Sequence, residues 1–134
     1  MNSLLIERKR APARAFALAG VAAVMFAGLS SSAAVAGDAD RGEMLYQGCQ
    51  DCHSLDKNDV GPRHRGVFGR KAGSIADYNY SEGLKQSGIV WDEATLDKWL
   101  TDPQAFVPDA KMFYHLADAK DRADVIAFLK DRAR

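Results

Sequence analysis

Cys49-Gln50-Asp51-Cys52-His53 constrains this chain more than any other stretch. Two thiols separated by two residues, with a histidine directly after the second, form the pattern of c-type haem attachment. Each thiol adds to one vinyl group of a porphyrin and forms a thioether. The spacing suits the two vinyl-bearing edges of the ring, and the next residue is then held below the iron, where an imidazole coordinates. Other chemistries also use close cysteines. A thioredoxin-like dithiol belongs to an alternating strand and helix context that is missing here. A structural zinc site takes four ligands, and this chain offers only Cys49, Cys52, His53, His64 and His115. A disulfide across two intervening residues would staple almost nothing. Haem is the favoured reading, with zinc and a redox dithiol as the alternatives.

The chain has 134 residues and just two cysteines, so it is no disulfide-dense scaffold. The composition, 47% hydrophobic and 27% charged, is that of a globular domain. Residues 1–36 read as a cleavable secretory signal peptide, with an uncleaved anchor helix as the alternative. Arg8, Lys9 and Arg10 precede an apolar run in which Ala15 to Leu29, 15 residues, carry no charge. A membrane span needs roughly 20. Three serines and Ala34-Val35-Ala36 follow, a small-residue cleavage signal, so the expected domain is 37–134. The signal holds four basic residues against Glu7. Its removal turns 18 basic and 18 acidic side chains into 14 and 17. The neutral total hides a mildly acidic mature chain, which gives no reason to expect a nucleic-acid binder.

Helix signals are sparse. Asp38 or Asp40 suits the start of a helix running towards Cys49. Asp92 suits a second, with Leu96, Trp99 and Leu100 on one face, ending near Asp102 because Pro103 follows. Asp118 or Asp121 opens a third, with Val125, Phe128 and Leu129 on one face. Residues 54–90 lack periodicity and are rich in glycine, as if the backbone wrapped closely around something. A domain of about 100 residues buries well under three-quarters of its chain surface. Three short helices and glycine loops therefore make a thin core, and a large cofactor would fill it. The expected fold is all-α.

An iron held by His53 needs a second axial ligand. His64, His115, Met44 and Met112 are the candidates. Met44 sits on the helix that leads into the motif and reads as core. Met112 sits in a non-periodic loop between helices, a placement that favours a ligand.

In order along the chain stand Gly42 and Tyr46, Cys49 to His53, Gly61-Pro62 and Gly66-Val67-Phe68-Gly69-Arg70. Tyr80-Ser81, Gly88-Ile89-Val90-Trp91, Asp102-Pro103, Pro108 to Met112 and Arg122 to Lys130 follow. This series resembles the class I cytochromes c, the bacterial cytochrome c2 type and the mitochondrial carrier. The resemblance implies a small cytochrome c fold around one covalent haem c, with His53 and Met112 as axial ligands. Sulfur ligation favours ferrous iron and raises the potential. It further implies that the Pro62 carbonyl receives the other ring N–H of His53. Arg70, Tyr80 and Trp91 would meet the haem propionates, Trp99 would pack against the ring, and Gly42 would let the first and last helices approach. Departures from the family pattern are His64 in place of an apolar residue, Trp99 in place of a tyrosine, Leu84 in place of a polar residue and Ala110 in place of a threonine. His64 and His115 are candidates for ligand exchange.

The implied function is a monomeric periplasmic one-electron carrier and not an enzyme. Its partners would be a quinol-oxidising complex, a terminal oxidase or a periplasmic dehydrogenase, met in weak, charge-steered encounters. Arg63, His64, Arg65, Arg70 and Lys71 form the only basic cluster available to such docking. The alternative is a haem peroxidase or small-ligand-binding cytochrome with a labile Met112, for which His64 and His115 would have to supply the acid–base groups.

Overall fold

The computed structural model describes residues 36–134, and the expected signal segment lies outside them but for Ala36. Asp38 opens the first helix. Its carboxylate accepts from the N–H groups of Asp40 and Arg41, and α1 runs Ala39–Tyr46. One 3-10 turn, Gln47–Cys49, carries the chain from α1 into the cysteine motif. The helix α2, Glu82–Gln86, is capped by the Ser81 hydroxyl. At the start of α3, Glu93–Thr101, the side chains of Asp92 and Thr95 each accept the other residue's backbone N–H, a capping box. The short α4, Pro103–Phe106, follows at once, and α5, Ala119–Asp131, starts where Asp118 accepts from Asp121 N–H. Among the described residues the only sheet-like pairing is an isolated antiparallel bridge between Lys71 and Val90. The all-α expectation with three main helices holds, those being α1, α3 and α5. Among the described residues no helix is long and apolar enough to cross a membrane.

Three expectations are refined. The stretch 54–90 is not free of helix, because α2 lies within it; five residues, one of them Gly83, are too few to show a period. The Asp102-Pro103 pair ends α3 and also begins α4. Its carboxylate accepts from Gln104 and Ala105 N–H, and proline stands at the first helical position, where its missing N–H costs nothing. Met44 is not core but 63% exposed. The buried residues of α1 are Gly42 and Tyr46, one turn apart, and Met44 lies two positions from each, on another face.

The glycines of the middle segment have two causes. Gly66, Gly69, Gly73 and Gly88 take positive φ and make turns. Gly61, like Gly42 on α1, permits a close approach. A Cβ on Gly42 would stand 2.0 Å from the Asp124 carbonyl oxygen on α5. The two helices cross backbone to backbone there, and the Tyr46 ring packs on Phe128 with centroids 4.9 Å apart.

Beside the crossing lies a charged clasp. The Asp124 side chain is fully buried and accepts from the Asp38 N–H at 2.7 Å, from Arg41 and from Lys120. Burial alone would push this carboxyl up. The Lys120, Asp38 and Arg41 hydrogen bonds outweigh it and hold the pKa at about 2. A folded-state value below the ordinary one near 4 means that the charged form stabilises the fold. That contribution is present above about pH 4 and is lost as pH falls through about 2. We expect Asp124→Asn to cost about 2 kcal/mol at neutral pH, the scale of a charge-assisted hydrogen bond. The gap from the parent should close as pH is lowered to 2. Thermal melts across that range check it, and parallel curves would contradict the clasp.

Candidate cofactor site

The cysteine motif folds back on its own start. His53 N–H and Cys52 N–H both donate to the Cys49 carbonyl, at 2.9 and 3.2 Å. Gly61 N–H donates to the Cys52 carbonyl at 2.7 Å, which lays Gly61-Pro62 against the motif. The His53 Nδ1 then lies 2.8 Å from the Pro62 carbonyl oxygen. An N–H donating there leaves Nε2 with the free lone pair. Burial lowers the His53 pKa against the opposing pull of that carbonyl, so the imidazole is neutral at neutral pH. Gly61 is needed at this point, because a Cβ on it would fall 2.2 Å from the His53 Cε1.

A cavity of about 640 Å³ opens beside this ring. Cys49, Cys52, His53, Pro62, Arg70, Tyr80, Trp91, Trp99 and Met112 all line it, with an otherwise mainly apolar wall that includes Leu84, Leu96 and Leu129. The structure therefore brings these nine expected site residues to one cavity, and His64 with them, whereas Met44, the other methionine considered as a ligand, does not line it. His115 does not line it and is exposed.

Each wall has its own support. Arg70 is half-buried and donates to the Arg65 and Arg63 carbonyls at 3.0 and 2.8 Å. Burial lowers its pKa. Tyr80 is buried, edge-on to Tyr78 with centroids 4.7 Å apart. Trp91 is buried, and its ring centroid stands 5.4 Å from that of Trp99. Met112 is held by its backbone: the Gln104 amide on α4 donates to the Met112 carbonyl at 3.1 Å and to that of Ala110. Lys111 ties the same loop to the Asn79 carbonyl at 2.9 Å. Gln104, Lys111 and Tyr78, whose hydroxyl donates to the Val60 carbonyl at 2.6 Å, are supports that sequence reasoning missed. A helix directly after Asp-Pro was the available signal for Gln104.

The donors suit a haem. The volume falls within the usual range for a buried small-molecule site, about 300–1,000 Å³. Its wall supplies two thiols, one neutral imidazole nitrogen and one thioether. The alternatives fare worse. Among the described residues no group of three or more His, Cys, Asp or Glu is arranged to hold a metal ion, so a tetrahedral zinc set is not assembled. Burial, then the neighbouring Cys52, pushes the Cys49 thiol up to about 11. A reactive dithiol needs the opposite shift.

The cytochrome c family model matches residues 39–133. Cytochrome c2 of Rhodomicrobium vannielii is 51% identical over 104 residues, 75% of this chain and 83% of that protein. Cytochrome c of Gibberella zeae is 42% identical over 103 residues, 73% of this chain and 97% of that one. Among solved structures, cytochrome cH from Methylobacterium extorquens is 48% identical with a TM-score of 0.69, covering 72% of this chain and all of that one. With the cysteine spacing and the cavity, these matches place the chain in the cytochrome c family, as a class I electron-transfer cytochrome carrying one covalent haem c on Cys49 and Cys52.

Proposed function

We propose that this cytochrome is a periplasmic one-electron carrier, exported by residues 1–36 and then cleaved, with His53 and Met112 as the axial ligands of its iron. The observation that carries the reading is the convergence of the two cysteines, His53 and Met112 on one cavity, with the His53 Nδ1 already committed to Pro62. Bound haem supplies reversible cycling between ferrous and ferric iron. The rest is done by the chain. Cys49 and Cys52 tether the ring, and Pro62 fixes the His53 tautomer and strengthens its Nε2 as a donor. Gln104 and Lys111 hold the backbone of the Met112 loop, so less of the loop has to be ordered when the thioether binds. Arg70, Tyr80 and Trp91 would meet the propionates, since a buried carboxylate needs a paired charge or a hydrogen bond. Trp99, partly buried against the core, would pack on the ring face. The wall is mainly apolar, which limits reorganisation between the two charge states.

Two features support a carrier over an enzyme. His64 stacks on His53 itself, and its Nδ1 is already engaged with the Tyr46 hydroxyl. His115 is exposed and lines no part of the cavity. The peroxidase reading thus lacks its acid–base pair.

Three of the four cations in the basic cluster are already engaged, while the fourth, Lys71, is exposed. Arg63 pairs with Asp77 at 3.0 Å, Arg65 pairs with Asp56, and Arg70 holds backbone carbonyls. Apolar side chains stand at the rim of the cavity instead: Phe113 is 78% exposed, Val60 71% and Tyr114 47%. Docking by a monomer to a quinol-oxidising complex, a terminal oxidase or a periplasmic dehydrogenase then rests on apolar contact more than on steering by charge. Mixed with such complexes from its own membrane, the holoprotein should pass single electrons from donor to acceptor. The rate should change little as salt is raised across the range that screens surface charge. Failure to exchange electrons with any of them, or turnover of peroxide instead, contradicts the proposal.

A further inference from the structure

His64 belongs to no role assigned above. Its ring lies on the His53 ring with centroids 3.9 Å apart and planes 22° apart. Its Nδ1 is 3.0 Å from the Tyr46 hydroxyl. Its backbone is pinned as well, the N–H donating to the Ser54 carbonyl at 2.9 Å and the carbonyl accepting from Val67 at 2.8 Å. Tyr46 in turn is 1% exposed and packs on Phe128, where α1 crosses α5. A continuous chain of contacts thus runs from the helix crossing through Tyr46 and His64 to the flat side of His53.

The geometry points to His64 as a positioning residue: anchored by Tyr46, it fixes the rotation of the His53 ring about its Cβ–Cγ bond and so the plane in which that ring presents Nε2 to the iron. The inference rests on the reading of His53 as an axial ligand. That terminal torsion is soft in a histidine, with a broad two-fold preference, so neighbours decide where the ring settles. Pro62 holds one edge of the ring, and a single hydrogen bond leaves the ring free to tilt about it. A flat, parallel partner removes that freedom. An aliphatic side chain would fill the same space at lower desolvation cost, but it is neither flat nor hydrogen-bonded. The Tyr46 hydroxyl and the His64 Nδ1 are hydrogen-bonded at 3.0 Å, so the orientation of His64 is set by a bond to a residue locked in the core.

The proton NMR spectrum of the oxidised holoprotein tests this, because hyperfine shifts of the haem methyl groups report the rotation of the axial ligand planes. His64→Leu should redistribute those methyl shifts while the haem stays attached and the helical circular dichroism is kept. His64→Phe, which keeps a flat ring, should move them less. Tyr46→Phe, which removes one oxygen atom and keeps the packing, should move them in the same sense as His64→Leu. If His64→Leu does not fold, Tyr46→Phe decides: a changed methyl pattern supports the role and an unchanged one overturns it. Hyperfine-shifted His53 ring protons together with a parental methyl pattern in His64→Leu overturn the positioning role alone. Absence of such ring protons in the parent overturns the ligand reading, and the inference falls with it.

Discussion

Gly42→Val should cost about 3–5 kcal/mol and lower the melting temperature by roughly 12–40 °C, at about 4–8 °C per kcal/mol for a domain of this size. The first added carbon would meet the Asp124 carbonyl oxygen at 2.0 Å and its carbon at 2.6 Å. These are backbone atoms of α5 and have no rotamer to escape into, so the helices must part. Parting them stretches the Asp38 to Asp124 hydrogen bond, 2.7 Å in the parent, and lifts Tyr46 off Phe128. Against this stands a helix-propensity gain of at most about 1 kcal/mol for replacing glycine. Met44→Ala on the same helix, at a side chain 63% exposed, is the control and should fall within about 0.5 kcal/mol of the parent. Comparable melts for the two variants would mean that α1 and α5 do not meet as closely as the structure has them.

Gly61→Ala should act on the iron site itself. The new Cβ would lie 2.2, 2.5 and 2.6 Å from three atoms of the His53 ring. The ring has nowhere simple to go, since the Pro62 carbonyl holds its edge and His64 covers its flat side. Displacing it breaks the bond to Pro62 and crowds the packing, together about 2–4 kcal/mol. The thioethers do not involve Gly61, so the haem should remain covalently bound. The low-spin spectrum should weaken and melting should drop. A variant with the parental spectrum and melting curve would show that the His53 ring does not occupy this place.

The two cases show what was legible in the chain and what was not. Glycine inside a helix is costly, and the resemblance marked Gly42 as a helix-crossing residue, so that part was readable. Asp92 and Asp118 announced α3 and α5 by local chemistry alone, through caps that need no tertiary partner. The helices α2 and α4 were invisible because periodicity needs more than one turn to register. Met44 was misread because its neighbours in sequence say little about which face of a two-turn helix finds a partner; Gly42 decides that, by admitting α5. The motif named the cofactor from five residues. The supports of the Met112 loop, and the stack of His64 on His53, depend on how residues far apart in the chain come together. No local pattern carries them. The basic cluster shows the same limit: Arg63 and Arg65 read as free charges until Asp77 and Asp56 are seen beside them.

The far-red absorption band that arises from methionine sulfur bound to ferric haem is the most direct test of the central claim. The oxidised parent, expressed with haem-maturation machinery, should show this band, and Met112→Ala should lose it while keeping the covalent haem. A parent without the band, or a Met112→Ala variant that retains it, would contradict the account.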